Sequence, residues 1–295
     1  MIPLSRPDEI RLQIQKLVEL PTFSVVAQRV LAVIGNDELT VAQVAAIIEQ
    51  DPALMARIIG VANSAYFNCH SPVTSVEKAI FNVLGLKLTK NLALSIALIG
   101  PFNTTQCAGF NAAEYWFGAV MCAALVQRIC RKASGAGAPP EDEAYLAGML
   151  HNFGLLPLVY LYPGEMALAF AERKQHGSLV RAERHLLGTD HHEAGGWLAR
   201  RWHMPHSIVA AIEHHGEPDY QEEGWHLVHV VRYGAIWAGR HYAYSEQTQA
   251  GQNTEQAEHW LMQLGLGPRD LLSIQNELLA ERDDVMALAK ILALG

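Results

Sequence analysis

The stretch Ile48-Glu49-Gln50-Asp51-Pro52-Ala53-Leu54, continued by Ala62-Asn63-Ser64-Ala65-Tyr66, decides the fold class. Asp51 stands directly before Pro52. An aspartate there accepts the unpaired N–H groups of a helix's first turn. A proline at the first helical position loses nothing, because its missing N–H would have had no partner. Met55, Ile58, Ile59 and Ala62 then recur at i, i+3, i+4 and i+7, which places them on one helix face. Asn63 and Ser64 close the run, since both side chains bond nearby backbone and Asn tolerates left-handed geometry. A helix with its own start and stop signals is spelled out in one segment.

The same grammar extends outward. Val41, Val44, Ala45 and Ile48 repeat at helical spacing, as do Ala27, Val30, Leu31 and Ile34. Thr40 and Gln43 have the spacing of a capping box. Gly85, after the run 75–84, reads as a left-handed stop. Near the end of the chain, Val285, Leu288, Ala289 and Leu292 form one apolar stripe. No alternating strand and no Asn-Gly or Asp-Gly hairpin turn is found. The chain is therefore read as all-α.

Three regions follow. Residues 8–102 carry short helices with tight joints, and residues 101–109, rich in Thr, Asn and Gly, read as a connection. Residues 103–245 form a second helical block, interrupted by a loop at Ser134-Gly135-Ala136-Gly137-Ala138-Pro139-Pro140. Residues 246–295 are expected to be a helical tail, entered through a polar loop at 245–254.

The chain has 295 residues, enough for a large core, and a formal net charge of −8. That balance argues against a nucleic-acid footprint, which needs clustered cations. The modest basic groups at Arg181, Arg184, Arg200 and Arg201 read instead as a solvated helix face. The apolar run 92–100 is too short to span a bilayer, so no membrane segment is expected. The N-terminus lacks a cationic stretch followed by an apolar one, so no signal peptide is expected either. Cys69, Cys107, Cys122 and Cys130 contain no CxxC pair and read as thiols packed in a core, in keeping with a reducing cytoplasm.

The chain has 14 histidines, concentrated between His185 and His241. Those at 203, 206, 226, 229 and 241 flank helix ends or polar neighbours, and surface positions are expected for most of them. His151, His191, His214 and His215 stand at helix ends, from which side chains can share a pocket. No HxxxH or HExxH spacing fixes two of them on one helix face. A shared site and separately hydrogen-bonded histidines therefore both stay open.

Taken together, Leu20-Pro21, the Asp51–Tyr66 segment, Ala79-Ile80 and Leu84-Gly85 resemble the HDOD domain, an output domain related to bacterial HD proteins. The likeness continues through Tyr115-Trp116, Ala147-Gly148-Met149-Leu150-His151-Asn152-Phe153-Gly154, and Asp190-His191-His192-Glu193-Ala194-Gly195 with Trp202 and Pro205. It covers roughly residues 15–215. It implies an HD-like multi-helix bundle in two packed helical subdomains.

Catalytic HD proteins hold one or two divalent metals with a His, a His-Asp pair, further histidines and a final Asp. Carried onto this chain, the first His falls near Gly118, which cannot ligate. The His-Asp pair becomes His151-Asn152, a neutral amide in place of a carboxylate. His191 matches the next histidine, His214 and His215 the pair beyond it, and the final Asp falls near Arg232. The Gly-Tyr-Pro signature of HD proteins that hydrolyse cyclic dinucleotides is absent; Glu213-His214-His215-Gly216-Glu217-Pro218-Asp219-Tyr220 stands there. The resemblance thus implies a vestigial pocket of His151, Asn152, His191, His214, His215 and Arg232 with no catalytic residue and no cofactor. Its output would be a protein partner in a signalling pathway. The alternative is a metal-dependent phosphohydrolase of unusual design, with a divalent transition metal held by His151, His191 and either His214 or His215.

Overall fold

The computed structural model describes residues 6–17, 25–34, 38–241 and 252–294. Leu20-Pro21 and residues 245–251 of the expected polar loop lie outside them. Among the described residues every regular element is helical and none is a strand.

The first stretch holds α1 (Arg6–Leu17), α2 (Val25–Ile34), α3 (Val41–Ile48), α4 (Pro52–Ala62), the short α5 (Val76–Ala79) and α6 (Leu86–Ile99). The start signals act as expected. Thr40 Oγ1 accepts from the Gln43 N–H at 3.3 Å, and Gln43 Oε1 accepts from the Thr40 N–H at 2.9 Å. Asp51 Oδ1 accepts from the N–H groups of Ala53 and Leu54 at 2.9 and 3.1 Å. The end of α4 is made differently. Asn63 has φ −88°, not a left-handed value. It stops the helix by bridging to a distant strand of chain: its Nδ2 donates to the Val73 carbonyl at 2.8 Å and its Oδ1 accepts from the Val73 N–H at 2.8 Å. The left-handed residue comes later, at Asn68, φ 46°. The run 75–84 does not stop as a plain α-helix either. Ile80–Leu84 is a π-helical turn, and Gly85 (φ 73°, ψ 166°) leads straight into α6.

The second stretch holds α7 (Ala112–Lys132), α8 (Glu141–Leu150), α9 (Leu155–Leu161), α10 (Pro163–His176), α11 (Leu179–Leu187), α12 (His191–Arg201), α13 (His206–His214) and α14 (Trp225–Gly239). After it come α15 (Gln252–Gln263), α16 (Pro268–Ala280) and α17 (Arg282–Ala293). Three residues of the expected loop, 252–254, are already helical. α7 is the axis of the molecule. Its side chains are buried without a break from Tyr115 to Val126, the pattern of a helix covered on all sides. α8, α14, α16 and α17 supply that cover. The α8 crossing is close enough to demand glycine: a Cβ on Gly148 would lie 2.6 Å from Ala123 Cα. α17 buries Val285, Leu288, Ala289 and Leu292 and touches both α7 and α4. The loop at 134–140 is tied down, with the Ser134 and Gly135 N–H groups donating to the Leu264 carbonyl at 3.1 and 3.0 Å.

One run, Glu141–Leu161, is long and apolar enough by length and composition to cross a membrane, and it exceeds the 92–100 run noted above. Its most apolar 18-residue window is 89% buried inside the fold, and the run is broken between α8 and α9. All four cysteines are free, and all but the half-buried Cys69 are buried. Burial pushes the Cys107 and Cys130 thiols up to about 11 and about 12, so neither is primed as a nucleophile.

Candidate functional site: a buried histidine cluster

α8 ends at Leu150, and His151 opens the turn that leads into α9. That turn lies directly on α12. A Cβ on Gly154 would sit 1.9 Å from the His191 carbonyl oxygen and 2.4 Å from the Gly195 nitrogen, so only glycine permits the approach. On the facing side, Asp190 caps α12. Its Oδ1 accepts from the His192 and Glu193 N–H groups at 2.9 and 3.0 Å, and its Oδ2 accepts from Arg184 Nε at 2.6 Å. The cap fixes His191 and His192 in the first helical turn. His215 follows α13 as its C-cap.

These joints bring four imidazoles into one buried cluster. Ring centroids are 4.4 Å apart for His191 and His192, 4.3 Å for His192 and His215, and 5.5 Å for His151 and His215, all edge to face. The partners set the tautomers. His151 Nδ1 lies 2.7 Å from the Gly148 carbonyl, and His215 Nδ1 lies 3.0 Å from the Ala211 carbonyl. A carbonyl can only accept, so Nδ1 carries the hydrogen and Nε2 keeps its lone pair in both. His191 Nδ1 lies 2.6 Å from Glu183 Oε2, which also accepts the His191 backbone N–H at 3.1 Å.

Burial dominates the electrostatics. It pulls His151 down to about 4 and holds His192 and His215 well below the ordinary imidazole value, with mutual repulsion among the rings adding to the effect. These three are neutral at neutral pH. Burial raises the Glu183 carboxyl against the opposing pull of His191, and its Oε1 has no hydrogen-bond partner among the described residues. Arg232 closes the site from α14, its Nη1 donating to the carbonyls of His215 and Gly216 at 3.1 and 2.8 Å. It caps the negative end of the α13 dipole.

Of the residues read from the sequence, His151, His191 and His215 meet in the cluster. Asn152 is buried in the turn beside His151, Arg232 lies buried beneath the end of α13, and Gly118 is buried in α7. His214 is not part of the cluster. Its ring stacks on Tyr220 at 4.6 Å, and its Nδ1 lies 2.9 Å from Glu217 Oε1, near the surface. Successive helical residues point about 100° apart, and at the end of α13 His215 takes the inward direction while His214 turns toward Tyr220 and Glu217. His229 is also unlike the expectation for its group: it is buried, with Nε2 2.8 Å from the Tyr220 carbonyl and its ring stacked 4.7 Å from Trp260. Sequence reading missed His192 and Glu183. The cap at Asp190, which orders both α12 histidines at once, was the available signal for His192. Glu183 gives none, because its partner lies on another helix.

The residues do not fit a hydrolytic metal centre. Among the described residues, no three His, Cys, Asp or Glu side chains are placed to hold one metal ion. Glu183 holds His191 through Oε2, leaving only Oε1 without a partner among the described residues, and Asp190 is spent on its helix cap and Arg184. What remains is the three neutral imidazoles of His151, His192 and His215 with an arginine alongside, whereas a hydrolytic pair of divalent cations needs anionic oxygen ligands. Two of the basic residues are likewise engaged: Arg184 pairs with Asp190, and Arg200 pairs with Glu213 at 2.7 Å.

Comparison with known proteins adds three kinds of likeness. The family model for the HDOD domain matches residues 20–218. An uncharacterized protein of Treponema pallidum (strain Nichols) is 29% identical over 231 residues, which are 75% of this chain and 42% of that protein. A protein of Marinobacter aquaeolei VT8, provisionally assigned to signal transduction, superposes with a TM-score of 0.83 at 25% identity, over 97% of this chain and 65% of its own. The chain thus spans less than two thirds of each of these two relatives. Two further crystal structures share the fold. An HDOD domain protein of unknown function from Geobacter sulfurreducens gives a TM-score of 0.76 at 20% identity, over 98% of this chain and all of its own. A provisionally assigned phosphohydrolase from Shewanella amazonensis SB2B gives 0.72 at 24% identity, over 95% and 97%.

Proposed function

This chain belongs to the HDOD domain family, and on that premise we propose that it is a non-catalytic regulatory module of bacterial signal transduction that acts by binding another protein. The observation that carries the reading is the charge of the histidine pocket. Four imidazoles, an amide at Asn152 and the Arg232 cation occupy the region where a hydrolytic HD site would concentrate carboxylates. A divalent cation there would meet neutral donors and a like charge. The likeness to a Marinobacter protein provisionally assigned to signal transduction supports the same direction. A cytoplasmic location belongs to the proposal and is supported by four unpaired cysteines.

The competing reading is a metal-dependent phosphohydrolase. One feature favours it: His151 and His215 both engage Nδ1 and leave Nε2 as the lone-pair atom, as metal-bound imidazoles do. The two readings separate on purified protein prepared without chelator. The regulatory reading expects no stoichiometric metal by elemental analysis and no turnover of a generic phosphodiester or of nucleotides with added manganese. Stoichiometric metal together with turnover abolished in His151→Ala would establish the hydrolase instead.

A further inference from the structure

Away from the histidines, a cavity of about 450 Å³ opens where α4, the 100–105 connection, the start of α7, α9 and the end of α17 meet. Its α7 and α9 walls are aromatic and apolar, and Asn103, Thr104 and Thr105 of the connection add uncharged polar groups. Phe102, Phe110, Tyr115 and Trp116 line it, with Leu156 at the α9 side. The rings are fixed by each other: Phe110 and Tyr115 lie 5.9 Å apart between centroids, and Tyr115 and Trp116 lie 6.1 Å apart, edge to face. Into this setting comes a single charged side chain, Arg57 of α4. Gly100 gives it room, since a Cβ there would sit 3.2 Å from Arg57 Nη1.

Arg57 has no hydrogen bond or ion pair among the described residues. The nearby carboxylate that influences it, Asp51, is committed to capping α4. The guanidinium is half-buried, and that burial lowers its pKa without displacing it from the charged form at neutral pH. A half-buried cation with five donors and no acceptor is costly to maintain. A second, smaller cavity of about 180 Å³ reaches the same side chain from the side of Asp51 and Ala97.

We propose that this cavity is a binding site for a small aromatic carboxylate, its carboxylate held in the fork of Arg57 and its ring between the aromatic walls. Three properties select that class. The planar fork of a guanidinium pairs with a carboxylate through two parallel hydrogen bonds. Flat aromatic walls favour a planar body through offset or edge contacts. Among the described lining residues Arg57 is the only charge, so it balances one negative charge and leaves the second charge of a phosphate monoester unmatched. The site is independent of whether the histidine pocket is catalytic.

The test is isothermal titration calorimetry on the full chain with naphthoate, benzoate and an indole carboxylate, against neutral naphthol and adenosine monophosphate. At least one carboxylate is expected to bind below about 1 mM, and more tightly than naphthol. Arg57→Gln is expected to weaken it at least about tenfold, the scale of one charge-assisted pair. Ala293→Phe, which fills the cavity from α17, is expected to remove binding. Circular dichroism of both variants must show the native helix content. Absence of binding by all three carboxylates, equal binding of naphthol, or unchanged affinity in a folded Arg57→Gln protein would each overturn the proposal. Binding of adenosine monophosphate in preference to the carboxylates would overturn the monoanion assignment and point to a nucleotide.

Discussion

The α4 segment and the histidine cluster are both polar features set against an apolar core, but they are satisfied in opposite ways. Around α4, Asp51 reaches only two and three residues along the chain, and Asn63 reaches ten. The Asp51 and Asn63 side chains sit near solvent, and the loss of either is confined to its own hydrogen bonds with backbone. In the cluster, rings from three different helices close on one another and are sealed by Arg232 from a fourth. Nothing there can be hydrated without opening the core. Local satisfaction gives a part that tolerates change; satisfaction through packing gives a part that is held all together or not at all.

That contrast can be broken most sharply at Gly154. With the added Cβ meeting the His191 carbonyl at 1.9 Å, Gly154→Ala must push the turn off α12. A loss of at least about 3 kcal/mol is expected, or failure to fold, as in other overpacked cores. Urea unfolding followed by circular dichroism measures it. A loss below about 1 kcal/mol would mean that the turn and α12 are not held as tightly as the cluster requires.

The second prediction concerns pH. The folded-state pKa of His151, at about 4, lies below the unfolded value near 6.5, and His192 and His215 are displaced in the same direction. Between those values the unfolded chain binds more protons, so stability is full above about pH 6.5 and falls as pH drops through that window. His151 alone can remove about 3 kcal/mol by pH 4. Glu183, with its raised carboxyl, works in the opposite direction and moderates the slope. Thermal melts from pH 7.5 to 4.5 read the effect. A flat profile would show that the rings are not buried as neutral groups.

Smaller effects belong to the α4 side. Asn63→Ala strips the Val73 N–H and carbonyl of their partner and is expected to cost about 2 kcal/mol. Asp51→Ala removes an N-cap and is expected to cost about 1 kcal/mol. If Asp51→Ala proved as damaging as Gly154→Ala, the division into a tolerant part and an interlocked part would fail.

The same division explains what could be read from the amino-acid sequence. Asp51-Pro52 and Thr40-Gln43 were legible because each signal and its target lie within three residues. The π-helical turn at Ile80–Leu84 and the bridging role of Asn63 were not, since both depend on where Val73 and α6 run. In the cluster, His151, His191 and His215 were visible as histidines at helix ends. Which way each points was not visible, so His214 was included and His192 left out. Glu183 had no local mark, because its meaning comes only from α12 arriving beside α11. Gly154 carries the heaviest steric constraint of the site, yet in sequence it reads only as the end of a turn.

The most direct test of the pocket's inertness is elemental analysis of chelator-free protein combined with a manganese-supplemented phosphodiesterase assay. A cluster whose rings at His151, His192 and His215 are neutral, capped by Arg232, predicts no stoichiometric metal and no turnover above that of His151→Ala. One or two bound metal ions per chain, with turnover that His151→Ala abolishes, would contradict it.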